Sequence, residues 1–123
     1  MGNSSKQYRF LLMQLPMTPD VGHRLFQNYA QTVEEHGSVD LSLYREVCSG
    51  GLEYPEAQPE ERALEDLFRE FNEAPPEGYR GRSMSVSDVV YLWAEDENGT
   101  GKPAAWFCDS IGFTRICKEG DNQ

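Results

Sequence analysis

Residues 83–116 read SMSVSDVVYLWAEDENGTGKPAAWFCDSIGFTRI, and this stretch decides the fold class. Two apolar runs, Val89 to Trp93 and Ala104 to Cys108, are joined by a polar link rich in Gly, Asn and Asp. Asn98-Gly99-Thr100-Gly101 supplies residues that tolerate positive φ, so the stretch predicts a β-hairpin. Val89-Val90-Tyr91-Leu92-Trp93 is apolar on both faces, as a central strand covered on both sides would be. Asp109-Ser110-Ile111-Gly112 predicts a second reversal with Gly112 at a bulge, and Phe113 to Cys117 a final short strand.

Upstream, Tyr8 to Leu15 carries apolar residues on both faces and reads as an interior first strand. Thr18-Pro19-Asp20 is a helix start: a capping hydroxyl, a proline for the first turn and an acid for the positive end of the dipole. Val21, Leu25, Tyr29 and Val33 then recur every four residues, which predicts a helix over 20–36 ended by Gly37. Leu41 to Ser49 reads as a second strand closed by Gly50-Gly51, and Leu52 to Glu61 as irregular chain. Ala63, Leu64, Leu67, Phe68 and Phe71 mark an amphipathic helix over 60–72, stopped before Pro75-Pro76. The whole predicts one α+β domain spanning 1–123, with an ordered core over about 8–117 and tails at 1–7 and 118–123. Its two layers would be a mostly antiparallel sheet of about four or five strands and two helices on one face.

The charge balance is lopsided: 21 acidic against 11 basic side chains, a net charge of -10. Such an excess repels nucleic acid, whose binding depends on Lys and Arg neutralising phosphates, and it disfavours anionic membranes. Basic protein partners are favoured instead. Three cysteines, Cys48, Cys108 and Cys117, form an odd set without close pairs, which suits a reducing cytoplasm better than a secreted disulfide scaffold. The apolar run near the N-terminus is too short for a signal peptide or a membrane span.

The segment Ser83-Met84-Ser85-Val86-Ser87-Asp88-Val89-Val90, followed by Trp106-Phe107-Cys108-Asp109-Ser110-Ile111-Gly112-Phe113, resembles the YodL-like domain family. Upstream, Tyr44, Val47 and Gly50, then Leu64-Glu65-Asp66-Leu67-Phe68 with Phe71-Asn72, keep the same spacing. The similarity runs over roughly Tyr8 to Ile116. It implies a protein of a bacterial mobile element, a conjugative element or a phage, acting in the bacterial cytoplasm. It implies no catalytic residues.

Little in the sequence points to chemistry. Only His23 and His36 are available as bases; on one helix, 13 positions apart, they would face different directions. No nucleophile elbow, phosphate loop, dinucleotide fingerprint or zinc-protease pair occurs, and the cysteines lack C-x-x-C spacing. No enzyme activity, cofactor or metal is therefore expected. Ser83, Ser85, Ser87, Asp88, Asp109 and Ser110 read first as turn and capping residues. The functional alternative is a small enzyme or ligand binder with a polar pocket where Ser85, Asp88 and Asp109 converge.

What stands out is acidity. Between Glu53 and Glu77 lie Glu53, Glu56, Glu60, Glu61, Glu65, Asp66, Glu70, Glu73 and Glu77, against only Arg62 and Arg69. Glu95, Asp96 and Glu97 form a second cluster at the hairpin tip. The plainer reading is a solvated surface. If the two clusters share one face, the protein would present carboxylates much as DNA presents phosphates, and would block a basic nuclease, restriction or CRISPR enzyme without touching nucleic acid itself. A generic interaction module anchored by Trp93, Trp106 or Tyr79 is the other expectation.

Overall fold

The structure is a computed structural model and describes residues 6–56, 58–79, 81–95 and 103–116. The hairpin turn 98–101, Asp96, Glu97, Cys117 and the tails 1–5 and 118–123 lie outside the described residues. Five strands form one antiparallel sheet: β1 (Lys6–Gln14), β2 (Arg45–Tyr54), β3 (Val89–Ala94), β4 (Ala104–Cys108) and β5 (Phe113–Arg115). Their order across the sheet is β2-β1-β3-β4-β5. Two helices, α1 (Tyr29–His36) and α2 (Glu60–Glu73), complete a single α+β domain.

The strands that read as apolar on both faces lie inside the sheet. Register places Phe10 against Leu92 and Leu12 against Val90, and Val90 against Trp106. Together with Tyr8, these residues meet Ala63, Leu64, Leu67 and Phe71 of α2 in one apolar layer. Alternation turns Val89, Ala105 and Phe107 to the opposite face, where Tyr29, Leu41, Tyr44 and Met13 pack. The Tyr29 ring meets Phe107 edge-on at 5.5 Å.

This arrangement corrects one expectation: the two helices do not share a face. The sheet lies between them, α2 on one side and α1 on the other. The reason is in β3 and β4, where both residue parities are apolar and each needs cover. The expected helix over 20–36 is also broken. Gly22–Arg24 forms one 3-10 turn, Leu25 is extended, and α1 starts only at Tyr29. The start at Thr18 loses to a capping box at Asn28, in which Asn28 Oδ1 accepts from the Gln31 amide and Gln31 Oε1 accepts from the Asn28 amide.

Gly50-Gly51 does not close β2; the strand runs through both to Tyr54, so Leu52, Glu53 and Tyr54 are not irregular. The Phe10 ring explains it. A Cβ on Gly50 would sit 3.1 Å from that ring, so the missing side chain lets Phe10 lie over the strand while its other side meets Phe71 at 5.9 Å. At the chain start, Lys6 and Gln7 belong to β1 rather than to a tail.

Gly50→Val tests this packing. Valine favours strands, yet here its branches would drive Phe10 off Phe71. The variant should lose about 1–3 kcal/mol of stability in urea unfolding. A stability equal to or above wild type would show that Phe10 does not depend on the open glycine.

Candidate functional site

The serine- and aspartate-rich motifs build a brace, not a pocket. Asp88 is 1 % exposed at the entry to β3. Its Oδ2 accepts from the Ser85 amide at 2.9 Å and from Gln14 Nε2 at 3.0 Å. Gln14 sits at the end of β1 and also donates to the Arg82 carbonyl and accepts from the Arg82 amide. The Tyr79 hydroxyl donates to that same carbonyl at 2.6 Å. Gly81 permits this crowding, since a Cβ there would fall onto the Tyr79 hydroxyl and Gln14 Oε1. Arg82 Nη2 approaches Asp88 Oδ1 to 3.8 Å. Burial nevertheless dominates and raises the Asp88 pKa to about 6, against the Ser85 and Gln14 bonds and the Arg82 guanidinium.

Ser87, next in the motif, holds a left-handed backbone with φ 88. Its Oγ accepts from the amide of Phe26, the other described non-glycine residue with positive φ, and its carbonyl accepts from Tyr44 Oη at 2.6 Å. Asp109 turns to the opposite face. Its Oδ1 accepts from the Tyr29 amide at the first turn of α1 and from the Ser110 amide, and its Oδ2 from Thr114 Oγ1. Burial works against its charge, but these three bonds outweigh it and hold the carboxyl below the usual range. Gly112, with φ 70, closes the turn beneath. Ser85 and Asp88 thus share one closed network, Asp109 clips α1 to the β4–β5 turn, and the three do not line a common pocket.

The other candidates for chemistry separate likewise. Burial pushes the Cys108 thiol up to about 12; burial and then Glu70 raise that of Cys48. Neither thiol is poised as a thiolate. His23 and His36 correct the sequence reading: the break before α1 folds them together, with ring centroids 5.4 Å apart and His36 Nε2 3.1 Å from Glu35 Oε1. Among the described residues, no cluster of three or more His, Cys, Asp or Glu could hold a metal ion. No helix there is long and apolar enough to cross a membrane. Trp106 is core at 7 % exposure, with the Arg115 guanidinium 5.7 Å from its ring, and Tyr79 is spent in the brace. Trp93 is half-buried, in a cleft of about 370 Å³ shared with Leu11, Tyr91 and Ile116 on the α1 face of the sheet.

The acidic residues fall into two groups. On α2, Glu61, Glu65 and Glu73 are exposed, while Glu60 and Glu70 are half-buried rather than fully on the wet face. Arg62 and Arg69 both turn to Asp66, at 3.3 and 3.5 Å, and Asp66 accepts from Tyr54 Oη of β2 at 2.6 Å. Glu56 and Glu77 are exposed in the loops flanking α2. Glu53 pairs with Gln7, whose carbonyl accepts from the Glu95 amide, so Glu53 and Glu95 share a row on the face away from α2. Yet Glu60 and Glu61 lie near enough to Tyr8 to raise its pKa, after burial. Glu60 and Glu61 therefore stand at the end of the sheet where β1 begins, with Glu53 and Glu95 on its other face, while Glu70 lies further along β2 toward Cys48.

Two outcomes follow from the brace. For Asp88, the folded pKa lies above the unfolded one, so its contribution to stability is full below about pH 4 and is lost as pH rises through about 6. Melting temperatures of wild type should fall across that window, and Asp88→Asn should flatten the profile; a parallel profile would refute the assignment. Asp109→Ala should cost about 1–2 kcal/mol, as lost caps do, and speed amide exchange in α1 before the sheet.

In comparisons with known proteins, no curated protein and no solved structure matches this chain. A family profile does, and it spans the first strand, both helices, the brace and the β4–β5 turn. With residues 9–118 matched, the chain belongs to the family of the YodL-like domain.

Proposed function

We propose that this protein acts by binding another protein through the carboxylates of α2 and the adjoining end of the sheet. One observation carries the reading: both arginines of α2 are committed to Asp66, and among the described residues Glu60, Glu61, Glu65, Glu70 and Glu73 make no ion pair. The last turn of α2 has no basic residue and holds Glu70 and Glu73 at the negative end of the helix dipole. Each such misplacement costs about 0.3–1 kcal/mol. A surface shaped for stability alone would carry Lys or Arg there.

The matching partner is cationic, and enzymes that hold nucleic-acid phosphates with Lys and Arg present such a surface. A net charge of -10 steers association with them and keeps the protein itself off nucleic acid. The finer proposal is a counter-defence role in the bacterial cytoplasm, for a conjugative element or phage, in which the acidic surface occludes a host nuclease, restriction or CRISPR enzyme. The mechanism needs no catalysis and no cofactor. A second reading has its own observation: Phe68 is 41 % and Ile111 92 % exposed, and Phe68 borders a cleft of about 290 Å³ with Glu65, Cys108 and Phe113. In that reading the β4–β5 turn is an apolar docking point.

Capture from a host lysate at low and high salt separates the two. The acidic contact should recover basic nucleic-acid-processing enzymes at low salt and lose them as screening shortens to about 8–10 Å near physiological ionic strength. Reversing Glu61, Glu65 and Glu73 to Lys should abolish capture with the fold intact. A partner retained at high salt, indifferent to those reversals and lost with Phe68→Ala, would install the apolar reading instead.

A further inference from the structure

Among the described residues, the longer unpaired edge of the sheet is the outer side of β2. The strand is ten residues long, against three for the other edge, β5. Its orientation follows from the ladder. The Glu95 amide bonds the Gln7 carbonyl, so the odd residues of β1 turn to β3 and the even ones to β2. Tyr8 opposite Leu52, Phe10 opposite Gly50 and Leu12 opposite Cys48 are then the hydrogen-bonded pairs. Ser49, Gly51 and Glu53 point their amides and carbonyls outward, as does Glu46 beyond the bulge between Leu12 and Met13. All four are exposed. Apart from a 3.8 Å contact from Cys48 Sγ to the Ser49 carbonyl, no described group outside the strand bonds to them.

Native sheets blunt such edges with Lys, Pro or strong twist. Between Arg45 and Tyr54 there is no Lys and no Pro. The charges flanking this edge are mixed: Arg45 stands in the strand and the Arg9 side chain lies over Gly51, against a larger number of carboxylates. Glu46 and Glu53 rise on the α1 face, since they pair with Met13 and Gln7. On the other face α2 runs along β2, with Asp66, already held by Arg62 and Arg69, on Tyr54, and with Glu70 unpaired among the described residues and close enough to raise the Cys48 thiol. Two copies meeting edge to edge would bring these carboxylates together, on chains that each carry a net charge of -10. An extended segment alternating Lys or Arg with apolar residues would set its cations beside them.

We propose that the edge of β2 pairs with an extended, Lys/Arg-rich segment of a partner protein, which adds to the sheet as a sixth strand. This rests on the acidic-contact reading above and gives it a binding mode: backbone pairing supplies the contact, and the carboxylates select the sequence.

Alternating lysine–valine peptides, with glutamate–valine and proline-interrupted counterparts, are the probes, read by NMR on the full chain. The lysine–valine peptide should shift and slow the exchange of the Ser49, Gly51 and Glu53 amides, while neither counterpart does so. Ser49→Pro removes an outward amide without touching the β1 ladder and should weaken binding tenfold or more; exchange slowing in wild type keeps the test valid if that variant folds poorly. Shifts confined to the outer face of α2, lost with the Glu61, Glu65 and Glu73 reversals but not with Ser49→Pro, would overturn strand pairing and leave the acidic contact standing. Loss with neither change, or no binding at all, would overturn both. Sedimentation as a dimer that Ser49→Pro dissolves would assign the edge to a second copy and overturn the basic partner.

Discussion

The bond from Gln14 Nε2 to Asp88 Oδ2 ties the end of β1 to the start of β3, and the rest of the structure is arranged around it. These are neighbouring strands at the middle of the sheet, and the bond spans 74 positions of sequence. It is buried, so neither partner falls back on water when the other is missing. Gln14 then fixes Arg82, Arg82 fixes Tyr79, and Tyr79 packs on Phe71 at the end of α2 at 4.9 Å. One amide and one carboxyl thereby set where the loop between α2 and β3 enters the sheet. The cost is a carboxyl whose burial raises its pKa despite the Arg82 guanidinium 3.8 Å away.

Asp109 does the equivalent task on the other face. It links the β4–β5 turn to the first turn of α1 across 80 positions. A helix of eight residues is marginal by itself. Here it is held by its own capping box, by the Asp109 carboxylate at its positive end and by Tyr29 on Phe107. The two motif aspartates are thus chemically alike and electrostatically opposite. Burial outweighs the bonds of Asp88, while the bonds of Asp109 outweigh its lesser burial.

Beside these braces, α2 and the edge of β2 are a part of the surface where local stability is not maximised. Glu70 and Glu73 oppose the helix dipole, and Ser49, Gly51 and Glu53 leave backbone groups to solvent. The polar motifs that look most like a site are consumed by the fold, and the plain acidic stretch is left with unspent interactions. Binding elements are drawn from such low-stability parts of a fold.

Strands β3 and β4 and helix α2 are legible in the sequence because each bears its own periodic apolar pattern, which reports its surroundings residue by residue. Ala104 to Cys108 matches β4 end for end. The acidic residues of α2 are legible as well, since charge is additive and needs no partner to be counted. The break at Leu25, the passage of β2 through Gly50-Gly51, the meeting of His23 with His36 and the opposite faces taken by the helices are not. Each depends on a group brought from elsewhere: Ser87 for the Phe26 amide, the Phe10 ring for Gly50, the buried second face of β3 and β4 for α1. Local pattern and composition suffice for β3, β4, α2 and the placement of charge, but not for the bounds of α1 or β2. Which face each helix covers, and that Asp88 and Asp109 act as braces, follow from the folded chain alone, because their partners lie 74 and 80 positions away.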